Sequence, residues 1–252
     1  MNVKQVLITR PERSAQQLAE QLQTRGLVPI VMPLYTFCAL QPSGKVTQAW
    51  PETSTRKLAV FTSPRAVHYG LEHIPAEQPG EVEFAAIGDA TRNRLEALGH
   101  EVQVRAASGY TSEDLLQLSA LASNPGLAVI FCAPGGRETL ALGLERLGWT
   151  VVKALVYERV ALEPSSAQIA AIEAADDLIS TWTSISALEL AREYIPGPVW
   201  DKVLRAPALV ISLRIQHHLQ QLGASRVMLA DGPGNADLLR SIMRLTGRGD
   251  AA

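Results

Sequence analysis

The sequence is poor in the residues that most often carry out chemistry or lock a fold covalently. Its 252 residues include two cysteines, five histidines and only 5% aromatic residues. Cys38 and Cys132 lie within apolar runs, so we expect both to be buried free thiols. The histidines lack the spacing of metal ligands. The composition therefore excludes a disulfide-stapled fold and predicts no metal site.

An excess of one charge and long apolar runs are also missing. The formal net charge is −2, whereas nucleic-acid-binding domains usually carry a basic face. No apolar run is long enough to cross a membrane, and residues 1–4 lead directly into the apolar run Val6–Ile8 without a signal peptide. We therefore expect a cytoplasmic protein with neither a nucleic-acid partner nor a membrane partner.

Common catalytic signatures are absent as well. The chain has no complete G-x-G-x-x-G, no G-x-x-x-x-G-K-[ST] loop and no G-x-S-x-G elbow. These absences disfavour nucleotide chemistry and serine hydrolysis. An enzyme built on this chain would depend on binding, on backbone donors and on hydroxyl groups such as that of a tyrosine.

What the chain does contain is a repeated helix-to-strand exit. Leucine pairs three or four residues apart mark the apolar face of a helix, and a glycine follows each pair. Glycine fits the left-handed position that ends many helices, and an apolar strand-like run comes next. The four glycines are Gly26, Gly99, Gly148 and Gly223.

The order of these segments predicts an α/β fold. Each of the four helices follows an apolar strand, and two further strand-turn-helix units begin at Leu58 and Leu178. Such alternation indicates right-handed βαβ units and mainly parallel sheets. A doubled frame, Tyr-x-x-x-Ala-Leu-x-Pro, starts at Tyr35 and again at Tyr157, and each copy stops at proline as an extended linker would. Two similar halves are therefore expected.

Hydroxyl, glycine and arginine residues occupy the turns that follow the strands. Ligands bind at the carboxyl ends of parallel strands, where helix N-termini offer free N–H groups to carboxylates or phosphates. The candidate binding residues are Thr9, Arg10, Ser63, Arg65, Gly88, Thr91, Arg137, Thr183, Ser184, Ser186, Ser212 and Arg214. Serine and threonine are also ordinary helix N-caps, so capping alone is the alternative for any single turn.

The order and spacing of these turns resemble the uroporphyrinogen-III synthase family of tetrapyrrole biosynthesis over almost the whole chain. The segments that carry the resemblance are Leu7–Pro11, Phe61–Val67, Ala86–Thr91, Tyr157, Trp182–Leu188 and Ala230–Leu239. Each motif is short, and it is their shared order that is specific.

The resemblance implies two similar doubly wound parallel-sheet domains of flavodoxin-like type, joined by a two-stranded linker. The first domain would be discontinuous, comprising residues 1–35 and 165–252, and the second would comprise residues 43–156. Residues 36–42 and 157–164 would form the paired linker strands. The substrate would bind in the cleft between the domains.

The implied reaction converts hydroxymethylbilane, a linear tetrapyrrole rich in carboxylates, to uroporphyrinogen III with loss of water and inversion of ring D. The resemblance implies no metal and no organic cofactor. The one protein partner it suggests is the enzyme that produces hydroxymethylbilane, through a transient contact.

The resemblance also assigns roles to individual residues. Tyr157 matches the family's linker tyrosine and is expected to aid departure of the terminal hydroxyl, because phenols keep their proton at neutral pH. Packing of the hinge is the alternative role for Tyr157. The family's usual hydroxyl is missing at Ile215, and Arg214 is a candidate replacement. The alternative function is a non-catalytic two-domain binding protein for a polycarboxylate small molecule.

Overall fold

The computed structural model describes residues 4–50, 56–75, 82–105, 111–136 and 138–247. Its strands are β1 Gln5–Ile8, β2 Val28–Val31, β3 Tyr35–Ala39, β4 Lys57–Phe61, β5 Val82–Ala86, β6 Val104–Arg105, β7 Leu127–Cys132, β8 Thr150–Leu155, β9 Tyr157–Ala161, β10 Leu178–Trp182, β11 Ala208–Val210 and β12 Val227–Leu229. Its α-helices are α1 Glu12–Gln23, α2 Gly44–Ala49, α3 Pro64–Gly70, α4 Asp89–Glu96, α5 Ser112–Leu116, α6 Ser119–Ala122, α7 Thr139–Arg146, α8 Ser166–Glu173, α9 Ile185–Tyr194, α10 Gly197–Arg205, α11 Leu213–Gln221 and α12 Asn235–Leu245.

The chain divides into two compact units. Unit 1 comprises residues 1–36 and 160–252, and unit 2 comprises residues 37–159. None of the helices within the described residues is long and apolar enough to cross a membrane.

Unit 1 contains a five-stranded parallel sheet in the order β12-β11-β10-β1-β2. Counted along the unit, this is the order 2-1-3-4-5 of flavodoxin-like folds. The central strands β10 and β11 are buried along their whole length, as expected where helices cover both faces of a parallel sheet. The leucine stripe Leu18–Leu22 of α1 packs into this core.

Unit 2 contains a second five-stranded parallel sheet, in the order β6-β5-β4-β7-β8. Every residue of β4 is buried. Its side chains alternate between the faces, so Ala59 and Phe61 join one core and Leu58 and Val60 join the other. The prediction of doubly wound parallel sheets is confirmed. The two sheets differ in strand order, because unit 2 runs 3-2-1-4-5 when counted along the unit.

The two copies of the tyrosine frame form β3 and β9, which pair in a two-stranded sheet. The Leu40 amide donates to the Val156 carbonyl and the Leu162 amide to the Leu34 carbonyl, each at 2.9 Å, so the strands run antiparallel. Cys132 is buried as expected, but the prediction that Cys38 is buried is wrong. Cys38 is exposed because it lies on this small sheet, outside both five-stranded cores.

Candidate functional site

The sheet of unit 2 reverses its winding direction between β4 and β7, which lie side by side. Open α/β sheets bind ligands at the carboxyl ends of strands at this position. A cavity of about 280 Å³ lies there. It is lined by Thr62 and Ser63 after β4, by Cys132 and Ala133 at the end of β7, and by Tyr157 at the start of β9.

Ser63 and Tyr157 form a hydrogen-bonded pair in this cavity. Ser63 begins α3 in extended conformation, and its Oγ accepts the Ala66 amide at 3.0 Å as a helix N-cap. The same Oγ lies 3.1 Å from the phenol oxygen of Tyr157. Since the N-cap bond uses only a lone pair of Ser63, the serine proton remains available for the phenol oxygen. In that arrangement the phenol proton of Tyr157 is free for a ligand.

Aromatic contacts fix the ring of Tyr157. Its centroid lies 5.9 Å from that of Phe37 in an edge-on arrangement and 5.7 Å from that of Tyr69 in a stacked one. The Arg65 guanidinium lies 3.5 Å from the centre of the Phe37 ring, and that of Arg159 lies 5.7 Å from it. Two cations therefore lie close to the ring of Phe37, which contacts the tyrosine that the sequence singled out.

The cavity also contains polar groups that sequence reasoning missed. The Lys153 ammonium donates to Glu138 Oε1 at 2.6 Å, and this bond raises the pKa of Lys153. Burial raises the pKa of the Cys132 thiol, so Cys132 stays protonated and is a poor nucleophile at neutral pH. The sequence feature that could have identified Lys153 is its position as a single charged residue inside the apolar run of β8.

Another turn of unit 2 follows β5. Gly88 begins α4 in extended conformation, and its carbonyl accepts the amide of Thr91, which is 3% exposed. Ile87, at the start of this turn, lines the cavity. The predicted binding residue Arg137 lies outside the described residues.

In unit 1 the winding reverses between β1 and β10, and the first turn there begins with Thr9. Thr9 is fully buried, and its hydroxyl donates to the Thr181 carbonyl at 2.8 Å. The Thr181 hydroxyl in turn donates to the Leu7 carbonyl at 2.9 Å. The side chain of Thr9 therefore ties two strands together.

Arg10 follows Thr9 at the same strand end. Its Nη1 donates to Asn235 Oδ1 at 2.7 Å, and Asn235 Nδ2 donates to the Ser14 carbonyl at 3.0 Å. Burial lowers the pKa of Arg10, partly offset by the nearby phenol of Tyr35.

Two further serines begin helices of unit 1 in the same way as Ser63 begins α3. Ser184 Oγ accepts the Ala187 amide at 3.1 Å, and Ser212 Oγ accepts the Ile215 amide at 3.4 Å. The φ and ψ angles are −163° and 162° at Ser63, −156° and 148° at Ser184, and −157° and 153° at Ser212. The three turns are therefore built alike.

The remaining predicted residues lie around these serines. Thr183 and Ser186 flank the start of α9 and are half-buried. Arg214 is exposed in the first turn of α11, whereas Ile215 is 5% exposed and belongs to the buried core. Among the described residues, no cluster of three or more His, Cys, Asp or Glu side chains could hold a metal ion.

Comparison with known proteins finds uroporphyrinogen-III synthases among the relatives of this chain. The chain is 29% identical to the uroporphyrinogen-III synthase of Salmonella typhimurium and 26% identical to that of Escherichia coli K12, over 245 residues in each case. Both alignments cover 94% of this chain and 99% of the relative.

Solved structures agree with this result at the level of the fold. The crystal structure of uroporphyrinogen-III synthetase from Helicobacter pylori has a TM-score of 0.62 at 16% identity, covering 97% of this chain and 100% of that one. A mutant uroporphyrinogen III synthase from Thermus thermophilus has a TM-score of 0.60 at 16% identity, covering 98% and 99%. The family model described as uroporphyrinogen-III synthase HemD matches residues 16–240. The chain therefore belongs to the uroporphyrinogen-III synthase family.

Proposed function

We propose that the chain catalyses the cyclisation of hydroxymethylbilane to uroporphyrinogen III, with loss of water and inversion of ring D. Membership of the uroporphyrinogen-III synthase family supports this function. The single structural observation that supports it most is the pairing of the Tyr157 phenol with Ser63 at the strand ends of unit 2. A phenol held there is a proton donor that needs no metal.

The proposed role of Tyr157 follows from the proton balance. When the terminal hydroxyl leaves as water, it takes the electron pair of its C–O bond and one proton, which the phenol donates. The adjoining pyrrole supplies the electrons and becomes an azafulvenium cation that keeps its N–H proton. Ring D then turns through a spiro intermediate, and ring closure releases a proton that restores the phenol. The Ser63 hydroxyl, donating to the phenol oxygen, would stabilise the phenolate between these steps.

The carboxylates of the substrate call for cations and backbone donors. We propose that the first-turn amides of α4, α9 and α11 bind some of them, because the free N–H groups of a helix start attract anions. Arg10, Arg65 and Arg214 would bind others through bidentate contacts. The half-buried hydroxyls of Thr183 and Ser186 are further candidate donors, whereas the hydroxyl of Thr9 is engaged within the sheet.

We also propose the domain assignment of residues 1–35 with 165–252 and of residues 43–156, with the two tyrosine frames as linkers. The reaction as proposed uses groups of the protein alone. A transient contact with the enzyme that supplies hydroxymethylbilane belongs to the same proposal.

The test is a coupled assay with freshly generated hydroxymethylbilane, which closes spontaneously to the type I isomer. We expect the protein to give type III product in addition to the spontaneous type I isomer. Formation of type I alone, together with tight binding of uroporphyrin, would favour the non-catalytic binding protein instead.

A further inference from the structure

Arg10 carries a charge that the described residues do not neutralise. The causes that perturb its pKa are its own burial and the Tyr35 phenol, and none of them is a carboxylate. Within the described parts of the chain, its side chain donates one hydrogen bond, to the neutral amide of Asn235. A half-buried guanidinium without an acidic partner is costly, and a bound anion would relieve that cost.

The carboxylates nearest to Asn235 along the chain are committed elsewhere. Asp237 accepts the Gly234 amide at 3.1 Å and pairs with Arg240. Asp231 pairs with Arg244 and lies 3.8 Å from Arg240. The start of α12 therefore brings a neutral side chain to Arg10 while its acidic side chains bind the arginines of its own helix.

The orientation of Asn235 is fixed as well. Its Nδ2 donates to the Ser14 carbonyl, which directs Oδ1 toward the Arg10 Nη1. One edge of the guanidinium is held in this way, and the remaining N–H groups can bind a ligand in bidentate fashion. An aspartate at the same place would pair with Arg10 and cancel its charge, and it would also lose the donor to the Ser14 carbonyl.

We propose that Asn235 is a positioning residue, which holds Arg10 at the carboxyl end of β1 without neutralising it, so that Arg10 binds a carboxylate of the substrate. This inference rests on the proposed function for the identity of the substrate. The predicted chemistry, recognition of a carboxylate by a held and uncompensated arginine, can be measured without turnover.

The decisive variant is Asn235→Asp, with Asn93→Asp as its matched control. Asn93 is exposed on α4 of unit 2 and also accepts a hydrogen bond from an arginine, Arg92, so the control makes the same change of charge next to a different arginine. Binding of uroporphyrin III, a polycarboxylate porphyrin, is measured by fluorescence. We expect Asn235→Asp to weaken this binding about tenfold and to raise KM by a similar factor at nearly unchanged kcat. The control should leave both constants unchanged.

A structural role alone gives a different pattern. Asn235→Asp and Asn235→Ala would then both be less stable to urea, because each loses the donor to the Ser14 carbonyl, while the folded Asn235→Asp variant would bind uroporphyrin like the wild type. If Asn235→Asp bound uroporphyrin as tightly as the wild type does, the proposal would therefore be overturned.

A second variant keeps the test valid if Asn235→Asp does not fold. Arg10→Gln removes the charge and keeps hydrogen-bonding groups, so it should weaken uroporphyrin binding to a similar extent. In the double variant the two effects should not add, because they act on the same contact. Unchanged binding by Arg10→Gln would also overturn the proposal. If the wild type makes no type III isomer but these binding effects appear, the proposed function fails and this inference stands.

Discussion

The phenol of Tyr157 is the group whose loss should affect catalysis most. Tyr157→Phe keeps the ring between Phe37 and Tyr69 but removes the proposed proton donor. We expect turnover to fall about a hundredfold, within the usual range for loss of a general acid, with an unchanged melting temperature. Tyr69→Phe is the matched control, because it also removes one hydroxyl from this cluster, one bonded to the Phe37 carbonyl. Equal turnover of the two variants would assign Tyr157 to packing alone.

Ser63 should show two separable effects. Ser63→Ala removes an N-cap, which costs about 1 kcal/mol of stability, and also removes the partner of the Tyr157 phenol. Ser165 caps α8 by accepting the Gln168 amide, at an exposed position outside the candidate site. We therefore expect Ser165→Ala to lower stability by a similar amount and Ser63→Ala alone to lower turnover. Stability comes from urea unfolding and turnover from the coupled assay, and equal turnover of both variants would contradict the role of Ser63.

At the level of single residues, the sequence predicted which turns carry hydroxyls and cations but not which side chains meet. Ser63 and Tyr157 are 94 positions apart, and Arg10 and Asn235 are 225 positions apart. Such pairs depend on how distant strands are ordered, which local periodicity does not encode. The buried hydroxyl of Thr9 also looks like a ligand contact until its partner strand is known.

The start of α12 should respond to acid. The Arg244 side chain, which hydrogen-bonds Asp231, holds the pKa of that carboxyl below its ordinary value. A lowered folded-state pKa contributes stability that is present above the unfolded pKa and is lost as the pH falls through the folded pKa. We therefore expect Asp231→Asn to be less stable than the wild type at pH 7, and the difference to shrink below about pH 5.

Urea unfolding between pH 7 and pH 3 measures this effect. Asp201→Asn is the control, since Asp201 is exposed on α10 and takes part in none of the ion pairs of the described residues. A difference between Asp231→Asn and the wild type that stays constant down to pH 3 would contradict the assignment.

The entry to β7 depends on a close approach of two backbones. A Cβ at Gly126 would lie 2.1 Å from the Arg56 carbonyl oxygen, whereas nothing lies within 4 Å of a Cβ at Gly197, the first residue of α10. We expect Gly126→Ala to lower the free energy of unfolding by about 3 kcal/mol. Gly197→Ala should raise it by about 0.4–1 kcal/mol, because alanine has less freedom to lose on folding. Urea denaturation measures both, and equal effects would contradict this reading of the packing.

Elements were more predictable than their arrangement. All four glycines expected to end helices have positive φ, namely 71° at Gly26, 86° at Gly99, 91° at Gly148 and 106° at Gly223. A helix that ends in this way needs a residue with positive φ, and glycine adopts that conformation most easily, so the sequence alone is enough to predict it. The different strand orders of the two sheets are set by non-local packing, and the similar strand-turn-helix patterns of the two halves gave no sign of them.

For the whole molecule, the doubled tyrosine frame indicates how the chain is divided. Its two copies form β3 and β9, at which the chain passes from unit 1 to unit 2 and back. The second copy places its tyrosine beside a serine N-cap in a cavity, since Tyr157 pairs with Ser63. The first tyrosine, Tyr35, is 6% exposed and lies near Arg10. The two copies therefore play the same part in the fold, and we assign the proposed proton transfer to the copy that contains Tyr157.

The most direct test of the account is a titration of the protein against a fixed supply of hydroxymethylbilane, with the isomers of the product separated chromatographically. We expect the type III fraction to rise with protein concentration until it dominates the product. The Tyr157→Phe variant should need about a hundred times more protein for the same fraction. A type III fraction that stays at background at every protein concentration would contradict the proposed function, and coincident curves for the two proteins would contradict the role of Tyr157.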